Sequence, residues 1–143
     1  MTLPSSVTEP RDYVEMACEE LLDSLQDIAT AVAGFRPRNA MRSRVYVCHP
    51  FANDPEGNTD KVRILARTLI DAGVLPIAPH LYLPQLIDEA TDRETAISLC
   101  LDLLATCDEI CVFGNLVTEG MDRELREARR LGIPVHFVGQ VQS

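Results

Sequence analysis

The sequence predicts an α/β domain: a parallel sheet of at least four strands in the order 2-1-3-4, covered by helices on both faces as a flavodoxin- or Rossmann-like three-layer sandwich. Two observations carry that expectation. From residue 44 onward, short apolar and β-branched runs alternate with amphipathic segments of helical period, the pattern of strands joined by crossover helices. The second apolar run contains Pro76, which has no amide to give to a ladder and so belongs at a sheet edge.

The elements follow in order. Residues 11–33 place Tyr13, Met16, Ala17, Leu21, Leu25, Ile28 and Val32 at helical spacing, an extra N-terminal helix that Gly34 and Pro37 end. A short basic connector, "RPRNAMRSR" (36–44), leads into the sheet domain, giving an N-terminal part over 1–43 and a domain over 44–143. "RVYVCH" (44–49) is the first strand, closed by Pro50. Asn58 is the expected N-cap of a helix over 59–72, stopped by Gly73. "VLPIA" (74–78) is the second strand, and 79–92 reads as an irregular loop with a short turn of helix. A helix over 93–107, a third strand over 108–114, a helix over 119–132 ending at Gly132 and a fourth strand over 133–138 complete the chain. Internal repeats and low-complexity segments are absent from the sequence.

Composition narrows the partners. A net charge of -9 argues against a nucleic-acid polymer or an anionic membrane, since both need a basic surface. It leaves room for a small anionic ligand in one local pocket. Five cysteines, without metal-type pairing, read as reduced thiols; Cys107 and Cys111 fall at a helix end and inside a strand, which speaks against zinc. No basic segment followed by an apolar one opens the chain, and no apolar run approaches membrane-spanning length. The protein is therefore expected in the cytoplasm.

In sheets of this kind, ligands bind beyond the carboxyl ends of the strands, where the strand order reverses. The three loops at that edge carry His49, Phe51, Asn53, Asp54, His80, Tyr82, Glu119 and Glu124. Neither a Walker sequence nor a glycine-rich dinucleotide fingerprint is present, and no serine occupies a strand-to-helix elbow. His49 and His80 lack partners at ligand-like spacing, so neither a metal nor a cofactor is expected. The start of the helix at 119, with Thr118 before it, offers free amides to an anion or simply a cap. Glu119 and Asp122 in its first turn complement the helix dipole. Glu124 fits that explanation less well, because it stands beside Leu125 and one turn before Ala128, at the edge of the apolar face. Asp102, on the preceding helix, and Glu124 are either two solvated helix acids or two acids facing one pocket.

The segments "VYVCHPF", "ILARTLIDAGVLPIAPHLYLPQLID", "LCLDLLATCDEICVFG" and "TEGMDRELREARRLGIPVHF" resemble the nucleoside 2-deoxyribosyltransferase-like group, in particular a branch found in phages, prophages and bacterial genomes. The resemblance covers about residues 44–138. It implies that Glu124, within "GMDRELREA", is the nucleophile that attacks the anomeric carbon of a nucleoside. It implies that Asp102, within "LDLLATCD", assists with the base or sugar, and that Tyr46 or Phe51 borders the sugar. The 5′ end or phosphate would sit at Thr118, Glu119, Gly120 and Met121. His49, Asn53 and His80 complete the expected substrate-binding set.

The activity that the resemblance implies is cleavage or transfer of the N-glycosidic bond of a (deoxy)nucleoside or its 5′-monophosphate, as hydrolase or transferase. The sequence departs from the group at "CHP", where His49 stands in place of a small residue. That departure keeps open an alternative, a non-catalytic nucleotide-binding or sensing module of the same fold. The apolar stripe of residues 11–33 predicts a symmetric homo-oligomer, a dimer first of all.

Overall fold

Strand β1 (Arg44–Cys48) runs through the middle of a four-stranded sheet, between β2 (Leu75–Ile77) and β3 (Glu109–Phe113), with β4 (Val135–Val138) beyond β3. All three pairings are parallel, and the order β2-β1-β3-β4 is the expected one. Pro76 pairs in register with Val45 on the edge strand β2, where its missing amide leaves no rung unmade inside the sheet. The computed structural model describes residues 41–138. The N-terminal helix expected over 11–33, and with it any account of its apolar stripe, lies outside the described residues.

Helices α1 (Pro55–Asp71), α2 (Arg93–Leu104) and α3 (Glu119–Leu131) form the outer layers. Side chains alternate across a strand, so one strand feeds two cores. Val45 and Val47 point to one face and pack with Val62, Leu65 and Leu69 of α1 and with Cys111 and Phe113. Tyr46 and Cys48 point to the other and pack with Leu104 of α2, Met121, Leu125 and Ala128 of α3, and Ile110 and Val112. Every residue from Val45 to Cys48 is fully buried, as a parallel sheet covered on both faces requires.

Helix ends depart from expectation in instructive places. Helix α1 begins at Pro55, not Thr59. Its N-cap is Asp54, whose carboxylate accepts from the Gly57 amide at 3.3 Å, and Pro55 at the first position needs no amide partner. Asn58 is instead buried in the first turn, where its Nδ2 donates to Asn53 Oδ1 at 2.8 Å and to the Phe51 carbonyl at 3.2 Å. Helix α2 stops at Leu104, because the amides of Thr106 and Cys107 turn back to the carbonyls of Leu103 and Leu104. Strand β4 starts at Val135: the Ile133 amide still serves the end of α3, through the Ala128 carbonyl, and Pro134 has no amide. Gly132 closes α3 with φ at +76°, a left-handed cap that side chains rarely adopt. The loop between β2 and α2 contains two 3-10 turns, Pro79–Leu81 and Leu83–Gln85.

Candidate active site

At the carboxyl end of β1, the face that carries Tyr46 and Cys48 meets the first turns of α3. Thr118 caps that helix through a hydrogen bond from the Met121 amide at 3.2 Å, which fixes its start and hence the phase of its side chains. Met121, Leu125 and Ala128 then face the sheet, and Glu124 lies among them, only 6% exposed. A carboxylate in that position needs donors. Tyr46 Oη donates to Glu124 Oε2 at 2.5 Å, and Cys48 Sγ donates to Oε1 at 3.2 Å.

Burial pushes the Glu124 carboxyl up to about 7, against the downward pull of these two hydrogen bonds, and the charge of Glu89 adds to the rise. Burial, and then the nearby Glu124, likewise hold Tyr46 and Cys48 well above their ordinary values, so both stay protonated donors at neutral pH. Cys100 of α2 is pushed up to about 12 by burial and by Glu124, and remains a thiol. The carboxyl group is therefore oriented through both oxygens and poised to gain or lose a proton near neutrality.

Above Glu124 lies an inner pocket of about 130 Å³ whose walls include His49, Phe51, Asn53, His80, Cys100, Thr118, Gly120 and Met121. His49 Nδ1 donates to the Pro50 carbonyl at 2.8 Å, which assigns the proton to Nδ1 because a carbonyl only accepts. Burial lowers its pKa, with Lys61 adding to the fall and the Pro50 carbonyl opposing it. His80 is lowered to about 4, by burial first and by His49 second. Both rings are thus neutral near pH 7. The His80 ring meets Phe51 at 5.4 Å between centroids, tilted by 57°, and its Nδ1 is buried without a hydrogen-bond partner. An unsatisfied buried nitrogen is costly.

The inner pocket opens into an outer groove of about 720 Å³, with which it shares Phe51, Ala52, Glu89 and Arg93. The groove is walled by the start of α1 at Pro55 and by residues 84–90. Arg93 at the start of α2 pairs with Glu119 at the start of α3, N to O 2.6 Å, and Arg123 pairs with Glu94 at 3.1 Å beside it. These two bridges tie the helices whose first turns frame the pocket.

All of these parts fall inside the stretch that residues 43–138 share with the family described as "Domain of unknown function (DUF7768)". The chain belongs to that family. No curated protein matches the chain.

The DUF7768 domain gathers most of the expected residues at one place. His49, Phe51, Asn53, His80, Thr118, Gly120, Met121 and Glu124 line the inner pocket, and Tyr46 lies beneath it, bonded to Glu124. Glu119 stands outside the lining and reaches the site through Arg93. Asp102 is not brought there. It is exposed on the far side of α2, and two residues along a helix turn a side chain through roughly 200°, so Cys100 takes the pocket-facing position instead. Glu89, Arg93 and Cys100 were not expected at the site. Cys100 was legible in principle, since Ala96, Ile97, Cys100 and Leu104 mark one face of α2. Glu89 lies in irregular chain with no period to assign it. Among the described residues, no cluster of three or more His, Cys, Asp or Glu could hold a metal ion, and no helix is long and apolar enough to cross a membrane.

Proposed function

We propose that this domain cleaves or exchanges the N-glycosidic bond of a (deoxy)nucleoside or its 5′-monophosphate, with Glu124 as nucleophile. The observation that carries this reading is the Glu124 carboxylate, buried at the floor of the pocket and held through both oxygens by Tyr46 and Cys48. In its ionised form, one carboxylate oxygen attacks C1′ while the C1′–N bond breaks and its electron pair leaves with the base. The departing base takes up a proton from water, which reaches it through the outer groove that opens beside Glu89. Water or a second base then displaces the glycosyl group from Glu124, restoring the carboxylate. An inner pocket the size of a sugar beside a wider groove suits a substrate of two such parts. The resemblance to the nucleoside 2-deoxyribosyltransferase-like group supports the same reading.

A second reading, a binding or sensing module without chemistry, draws support from His49 occupying part of a small inner pocket and from a carboxyl group that is half neutral near pH 7. One experiment separates the two. The protein is incubated with a panel of deoxynucleosides and their 5′-monophosphates, and free base is followed by chromatography beside thermal-shift binding. Released base is the expected result. Binding without release would replace the enzyme by the sensor, and neither would remove both.

The assembly proposed is a symmetric homodimer. Light scattering on the full chain should give twice the chain mass, and a chain starting near residue 40 should give the monomer. A monomeric full chain at micromolar concentration would overturn this.

A further inference from the structure

Among the described residues lining the inner pocket and the outer groove, Arg93 is the one permanent cation, both histidines being held neutral by burial. One of its guanidinium nitrogens, Nη2, already donates to Glu119 at 2.6 Å. The other charges around the entrance, Asp88 and Glu89, are negative, and Glu124 below adds more when ionised. The start of α3 is already partly satisfied by its own residues. The Met121 amide is taken by the Thr118 hydroxyl and the Asp122 amide by the Thr118 carbonyl, while Glu119 and Asp122 already complement the helix dipole.

We propose that the Arg93–Glu119 pair is a specificity determinant, which keeps the pocket selective for an uncharged nucleoside over its 5′-monophosphate. This rests on the nucleoside reading above and narrows it. A phosphate entering the mouth must share Arg93 with Glu119 and sit beside that carboxylate and Glu89. An uncharged sugar meets neither obstacle. Both partners of the pair are substantially exposed, with side-chain exposures of 44% and 69%, so removing one charge leaves the fold intact.

The test is titration calorimetry at low salt on the full chain, its Glu119→Gln variant and the double variant Arg93→Gln/Glu119→Gln. The probes are deoxynucleosides, their 5′-monophosphates and inorganic phosphate. The native chain should bind nucleoside at least about ten-fold more tightly than monophosphate, the scale of one or two unscreened charge contacts a few ångströms away in a wet site. Glu119→Gln should raise monophosphate affinity by about ten-fold, give measurable binding of inorganic phosphate, and leave nucleoside affinity within about two-fold. The double variant should lose that gain. Equal or tighter binding of monophosphate by the native chain overturns the proposal, as does an unchanged preference in Glu119→Gln. If no nucleoside or nucleotide binds, the nucleoside reading fails. Inorganic phosphate then still decides the role of the pair: a gain in Glu119→Gln that the double variant loses upholds it, and no gain removes it.

Discussion

Glu124→Gln should abolish base release, by at least about 10³-fold, since an amide offers no nucleophilic oxygen to C1′. The same variant should gain stability relative to the native chain as pH rises. Burial raises the Glu124 carboxyl from 4.5 to about 7. Between those values the folded protein holds a proton that the unfolded chain has lost, so this group's contribution is full below pH 4.5 and disappears as pH rises through 7. The native chain thus loses about 3 kcal/mol across that window, while glutamine, which does not titrate, loses none. Melting temperatures at pH 5 and pH 8.5 should therefore diverge, the variant gaining on the native chain at the higher pH. Retained turnover would end the nucleophile assignment. A melting difference independent of pH would show that the carboxyl does not titrate in the folded state as its burial demands.

Tyr46→Phe should lower kcat/KM at pH 7 by about 10- to 100-fold, the cost of leaving one oxygen of a buried carboxylate without its donor. Loss of the 2.5 Å bond favours the neutral acid, so the Glu124 pKa moves further up. The acid limb of the pH–rate profile should shift to higher pH, and part of the lost rate should return above pH 8. Folding should be little affected, because the ring remains and the neutral carboxyl tolerates burial better than the ion. A uniform loss across pH, with the limb unmoved, would make Tyr46 a packing residue only. Both predictions presuppose the catalytic reading, but the melting curves read the carboxyl directly.

The sheet order was legible because two local facts decide it: the alternation of strands with helices, and one proline that excludes β2 from the interior. Glu124 was legible as an anomaly, an acid on the wrong side of an amphipathic helix. Its partners were harder to read. Tyr46 and Cys48 sit in an apolar strand where nothing separates a hydroxyl or thiol that packs from one that donates; only the register of β1 against α3 reveals it. Asp102 lies away from the pocket because the phase set by Ala96, Cys100 and Leu104 turns it to solvent, a phase that the resembled motif does not reveal. Arg93 and Glu89 belong to the site through the path of the loop after β2, which long-range packing fixes.

The alternation along β1 has a consequence for redesign. Tyr46 and Cys48 hold the carboxylate, whereas Val45 and Val47, their immediate neighbours, hold α1 on the opposite face. The grip on one buried carboxylate and the cohesion of the scaffold are thus written on alternate letters of one short word. A combinatorial library confined to positions 46, 48, 100 and 121 would retune the surroundings of Glu124 while the α1 layer is inherited unchanged, whereas diversity at 45 and 47 would erode the α1 side of the platform and leave the carboxylate's own partners untouched.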